Sequence, residues 1–234
     1  MDMSKPFSWS WSRLKNWRTC PKRFYEIDVA KNYVEPEAGA LKWGHEVHEA
    51  LANRIAKGAP LPESMRDYDV WPQKMIALGK AGTRMLVENK LAMSQEFTPT
   101  RFFDADTWFR GVVDVLGIGN ETAISLDWKT GGKISPEFEQ LGLSAQLIFA
   151  NYPKVNEVQT AYIWLGHTDD NGKVLTTKET YRRENMVPLW NELWPEINQM
   201  TEAHRTVTYP PNPSGLCKRH CPVVSCPYHG KGSR

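Results

Sequence analysis

Residues 107–129 read TWFRGVVDVLGIGNETAISLDWK, with apolar residues at every second position on either side of a polar stretch, Gly119, Asn120, Glu121 and Thr122. Period two around such a stretch is the pattern of two antiparallel strands joined by a turn. If the strands pair about the tip at 120 and 121, residues equidistant from it face each other, which sets Asp114 opposite Asp127. Lys129 then shares a face with both acids, and Val113, Val115, Ile124, Leu126 and Trp128 share the other, so that one face is expected to pack and the other to carry chemistry. Like charges directly opposite on a sheet destabilise it, and a divalent cation such as Mg or Mn, which prefers oxygen ligands, resolves the conflict. Such an ion polarises a phosphoryl oxygen and lowers the pKa of an attacking water, while a nearby ammonium stabilises developing negative charge. A surface hairpin with two solvated acids and a lysine salt bridge fits the same residues, and the pattern by itself leaves both readings open.

Outward from the hairpin the period changes. Residues 8–30 read as a helix with a Ser start and a tryptophan-rich side, broken or restarted at Pro21. A second helix is expected from Leu41 to Lys57, ended by Gly58, with Gly44, His48, Leu51 and Ile55 along one side. Residues 70–92 read as a third helix. Downstream, 136–151 reads as a helix, 156–167 and 172–182 as a hairpin around Asp169 to Gly172, and 184–204 as a long helix with Leu189, Leu193, Ile197 and Met200 on one stripe. Alternating strands and helices predict an α/β fold, a central mixed sheet flanked by helices with a metal-clasped C-terminal segment. The expected division is a main domain over 1–206 and a cysteine-rich segment over 207–234, packed back on the N-terminus.

The 234 residues suffice for one large core. No apolar run approaches the roughly 20 residues of a membrane span, and the N-terminal stretch lacks the apolar core of an export signal, so a cytoplasmic protein with no membrane partner is expected. With 29 basic against 27 acidic residues, any nucleic-acid affinity has to come from local patches. The ten tryptophans are expected mostly in the core, with one or two able to stack on bases. No GxxxxGK phosphate loop occurs, which argues against a fused helicase motor.

Several stretches together resemble the PD-(D/E)XK nucleases, in particular the RecB-like group that includes the CRISPR-adaptation exonucleases and the AddB nuclease domain. They are SWSRLKNWRTCPKRFY (10–25), GHEVHEAL (44–51), GVVDVL (111–116), LDWKTG (126–131), QLGLSAQLIF (140–149) and the terminal cysteines, in the family's order. The resemblance implies a restriction-endonuclease-like core and metal-dependent cleavage of DNA, with His48, Asp114, Asp127 and the backbone carbonyl of Trp128 as metal ligands and Lys129 as the catalytic lysine. Gly44, one turn before His48, would let the helix approach closely. Gln140 matches the glutamine that follows the DxK motif, but Ser144 stands where a tyrosine is expected, which leaves Gln146 as a competitor. Val113 replaces the motif's proline. The implied substrate is DNA, single-stranded or with free ends, in recombination, repair or phage DNA metabolism, with a helicase or recombination protein as a candidate partner. A DNA-binding or assembly subunit that cuts poorly is the competing reading.

Cys217, Cys221 and Cys226 crowd a segment too short for its own core, which suggests a metal holding it together. The resemblance adds Cys20, because iron-sulfur members of the group split their cysteines into one N-terminal and three C-terminal; four thiolates suit a 4Fe-4S cluster. The terminal spacing departs from the usual one by a residue on each side. Zinc is the alternative, with His220 or His229 as nitrogen ligands. A zinc-binding interaction module would account for the cysteines and leave the acidic hairpin unused.

Overall fold

The computed structural model describes residues 7–35 and 39–231. They form two compact units, one built from 38–190 and the other from 1–37 with 191–234. The sequence boundary at 206 therefore lies inside the second unit, which unites the N-terminal helices, the cysteine segment and most of the last helix.

The larger unit is built on a five-stranded sheet. Two helices come first, α3 (Gly39–Lys57) and α4 (Val70–Lys80), followed by strands β1 (Arg84–Met93), β2 (Phe109–Ile118) and β3 (Thr122–Lys129). Helix α5 (Phe138–Asn151) then crosses to β4 (Glu157–Thr168), which returns through β5 (Val174–Arg182). The spatial order is β1-β2-β3-β4-β5, antiparallel except for the parallel β3–β4 pair. The helix between β3 and β4 supplies the crossover that a parallel pair requires. This is the mixed, helix-flanked sheet expected from the sequence.

Both faces of the sheet are covered. On one, Val115, Leu126, Trp128, Ala161, Ile163 and Leu165 bury against Val47 and Leu51 of α3 and Met75 of α4. On the other, Tyr162 and Trp164 meet Leu141 of α5, a helix buried along eight of its residues. The hairpin face that carries Asp127 and Lys129 thus also meets α5, through Gln140. A sheet with a parallel pair buries both faces, and chemistry is confined to where the ladders open.

The expected helix over 70–92 needs correction: it stops at Lys80, and Arg84–Met93 is a strand paired with β2. Gly82, at φ +100, makes the break. The β4–β5 hairpin forms as expected, its turn tied by Asp169 Oδ1, which accepts the N–H groups of Asn171 and Lys173 at 2.9 Å each.

The second unit begins with α1 (Trp11–Thr19), capped by Ser10, whose side chain accepts the Arg13 N–H. Extended backbone at Cys20 ends it, and Pro21 opens α2 (Pro21–Phe24), so the expected restart occurs at that residue. Phe24, Trp17, Tyr25 and Tyr209 form an aromatic cluster with centroid spacings of 4.5 to 6.4 Å. Leu193, Ile197 and Met200 of α6 (Val187–Thr206) are buried along the predicted stripe. Six tryptophans, Trp9, Trp17, Trp108, Trp128, Trp164 and Trp190, are core residues.

Candidate active site

The hairpin register is the one read from the sequence: from Ile118 facing Ala123 near the turn, the ladder runs to Val115 facing Leu126 and ends there. The next rung would join Asp114 to Asp127. At this point the Asp114 carboxylate accepts the Trp128 N–H at 2.8 Å, so a side chain binds a donor beyond the last backbone rung. On the other flank of β2, Val87 faces Val115 and Asn89 faces Val113, which sets Glu88 level with Asp114. Regular pairing skips that position, and Glu88 has φ +48, a left-handed conformation that costs a non-glycine residue about 1–2 kcal/mol. In the parallel register Asp127 faces Tyr162. Glu88, Asp114, Asp127 and Tyr162 therefore occupy one row across four strands, and the sheet distorts where three carboxylates meet.

Helix α3 brings His48 to this row. Its Nδ1 lies 3.3 Å from Asp114 Oδ2 and its Nε2 3.0 Å from the Trp128 carbonyl. Both acceptors suit a doubly protonated ring. Although burial works against the imidazolium, the hydrogen bond and charge of Asp114, with the charges of Asp127 and Glu88, raise the His48 pKa above its ordinary value. Close approach of the helix depends on Gly44, where an added Cβ would sit 3.3 Å from Thr130 Oγ1. Ligand atoms of His48, Glu88 and Asp114 all lie within 4.8 Å of one another, and among the described residues this is the one such group of three.

Asp127 lies outside that trio and is held from the opposite layer. Lys129 Nζ is 2.8 Å from Asp127 Oδ1, and Gln140 of α5 donates its Nε2 to Asp127 Oδ2 at 2.8 Å. Burial and the charge of Asp114 push the Asp127 pKa up to about 6, overriding the opposing pull of Lys129. Burial, followed by Asp114, raises Glu88 as well. Glu88 and Asp127, whose charged forms are disfavoured, lie beside a histidine that favours its charged form, an arrangement that positive charge would complete. An open groove lined by Gly44, His45, His48 and Glu49 of α3 and by Glu88, Trp128, Lys129, Thr130 and Gly131 leads to them.

Of the residues singled out from sequence, the structure brings together His48, Asp114 and the Trp128 backbone on one side, and Asp127, Lys129 and Gln140 on the other. Gln146 plays a different part: it is buried, and its Oε1 accepts the Trp190 Nε1–H at 3.2 Å. Sequence reasoning missed Glu88, because its strand was read as helix, and Tyr162, which lies in an apolar run. An acid inside MLVEN, just past the Gly82 break, was the available signal for the first.

In the second unit Cys20, Cys217, Cys221 and Cys226 line one pocket, with Lys22 and Arg23 at its wall. Cys20 Sγ accepts the Asn212 N–H at 3.2 Å and Cys217 Sγ the Ser214 N–H at 3.4 Å. Burial raises the Cys221 thiol pKa, with Cys217 and Cys20 close enough to contribute. His220 and His229 are exposed and stand outside the residues lining this pocket.

The family model of the PD-(D/E)XK nuclease superfamily matches residues 8–227. Solved structures to which the chain is similar include SSO0001, at 14% identity over 95% of this chain and 87% of that one, TM-score 0.43. A candidate exonuclease from Eubacterium rectale is 10% identical over 84% and 82%, TM-score 0.49. An alkaline exonuclease from Laribacter hongkongensis is 10% identical over 87% and 93%, TM-score 0.38. Comparison with curated proteins gives no match.

Proposed function

The chain belongs to the PD-(D/E)XK nuclease superfamily, and from that premise we propose that it is a divalent-metal-dependent deoxyribonuclease, an exonuclease acting on single-stranded DNA or DNA ends. The observation that carries the reading is the row of Glu88, Asp114 and Asp127 across the opened sheet, with His48 on one side and Lys129 on the other. Like charges at neighbouring strand positions cost stability unless a cation joins them, and oxygen donors with one imidazole suit Mg or Mn. Asp114, Asp127, His48 and the Trp128 carbonyl are the proposed ligands, with Glu88 added by its place in the trio. A cation bound there would supply Lewis-acid polarisation of a phosphoryl oxygen and a more acidic water. Lys129 offers an ammonium for the charge that develops on the phosphate or for orienting the attacking water. Gln140 holds Asp127 and Lys129 in register, through 2.8 Å and 3.2 Å contacts. The end-directed, single-strand part of the reading rests on the resemblance to RecB-like exonucleases, as does the pathway, DNA recombination, repair or phage DNA metabolism. A helicase or recombination protein is the proposed partner. No helix among the described residues is long and apolar enough to cross a membrane.

For the cysteines we propose a 4Fe-4S cluster with a structural role. Four thiols lining one pocket is the supporting observation. Neither candidate histidine lines the pocket, which supports a four-thiolate set over a Cys/His one.

Digestion of 5′-labelled linear and circular single-stranded DNA, with duplex controls, in Mg or Mn tests the exonuclease reading. Loss of the linear strand with survival of the circle is expected. Equal cutting of circles would replace end-directed attack by internal cutting.

A further inference from the structure

We infer that Tyr162 is a positioning residue for the reaction, fixing the orientation of Gln140 and the seat of Lys129 from β4; the inference rests on the nuclease reading above. Tyr162 is fully buried and faces Asp127 across the parallel ladder. Its hydroxyl oxygen lies 2.8 Å from the Glu137 carbonyl and 2.9 Å from Gln140 Oε1, so its single proton is shared between these two acceptors. Its ring centroid lies 4.5 Å from Lys129 Nζ, within cation–π range. A carboxamide can turn over, exchanging its oxygen and its NH2 group. Here Oε1 takes hydrogen bonds from both Lys129 and Tyr162, while Nε2 donates to Asp127. A turned-over Gln140 would set its NH2 group against the Lys129 ammonium and its oxygen against the Asp127 carboxylate. Tyr162 thus adds a buried, uncharged hydrogen-bond partner to a carboxamide that Lys129 and Asp127 also hold. The hydroxyl of Ser144, one turn along α5, bonds to the Gln140 main-chain carbonyl at 3.0 Å and leaves the carboxamide to β4.

Tyr162→Phe keeps the ring under Lys129 and removes only the hydroxyl. Under saturating Mn and DNA it is expected to slow single-turnover cleavage about tenfold, the worth of one buried hydrogen bond, with KM for DNA within about twofold of wild type. Because Tyr162 acts through Gln140, the same change in a Gln140→Ala background is expected to cost less than about twofold, a non-additivity that loss of packing would not produce. A readout independent of activity comes from 3-fluorotyrosine at position 162 in the metal-free protein. Its 19F resonance is expected to move when Gln140 is replaced by Ala, and this arm holds even if the Phe variant fails to fold. Wild-type rates in Tyr162→Phe, full additivity in the cycle, or an unmoved 19F signal would each overturn the inference. Absence of metal-dependent cleavage by the wild type would instead sink the nuclease reading and leave the 19F arm to decide the contact.

Discussion

Asp127→Asn in the metal-free protein is expected to trade activity for stability. Burial and Asp114 raise the Asp127 carboxyl from 3.8 to about 6, which means that ionising it in the folded state costs roughly 3 kcal/mol at pH 8. About a fifth of the side chain remains exposed, and solvent screening trims that figure. An asparagine carries no charge, but its NH2 group would face the Gln140 Nε2 donor now 2.8 Å from Asp127 Oδ2, and losing that hydrogen bond costs about 1 kcal/mol. The net gain is therefore about 1–2 kcal/mol at pH 8. The sign follows from the raised pKa: wild-type Asp127 favours folding fully below pH 3.8 and loses that contribution as pH rises through about 6. Urea unfolding in EDTA should find the asparagine variant more stable at pH 8, with the advantage gone or reversed near pH 4. A wild type more stable than Asp127→Asn at pH 8 without metal would refute the reasoning.

Lys129→Ala is expected to lower cleavage at least about a hundredfold while keeping fold and most DNA affinity, since phosphate contacts elsewhere dominate binding; circular dichroism and gel shift alongside the rate check this. Glu88→Gln should weaken Mn binding about tenfold by calorimetry, and unchanged affinity would remove Glu88 from the ligand set. Mn affinity should rise with pH from 5 to 8, because Asp127 must ionise and His48, whose pKa is raised, must lose its proton to bind; flat affinity over that window contradicts the coupling. Protein purified without oxygen should be brown with about four irons per chain, and Cys20→Ala should lose that iron and melt earlier. Full metal content in Cys20→Ala would return the assignment to local zinc with His220 or His229.

The hairpin was legible because period two and a polar turn fix register by themselves: the rungs from Val115–Leu126 to Ile118–Ala123 are those counted from the tip. His48 was legible from helical spacing joined to the family's motifs. What stayed hidden depends on tertiary partners. Arg84–Met93 is rich in Leu, Met, Glu and Lys, all good helix formers, and becomes a strand because β2 presents an edge to pair with. Glu88 went unseen with it, and its left-handed backbone has no sequence signature apart from glycine or asparagine. Tyr162 sits within AYIWLG, where a buried tyrosine reads as core; its role emerges only once α5 sets Gln140 above it. The three C-terminal cysteines announced a site, while Cys20 joined them in prospect only through the resemblance, and in the fold through the pocket that all four line.

The central claim, hydrolysis of DNA by the carboxylate row and its lysine, is tested most directly by following end-labelled single-stranded DNA with wild type and Lys129→Ala side by side, in Mn and in EDTA. The account predicts degradation by the wild type in Mn alone, with EDTA and the variant each abolishing it while the variant still binds DNA. Cleavage that persists in EDTA, or a Lys129→Ala protein that degrades DNA at the wild-type rate, would contradict it.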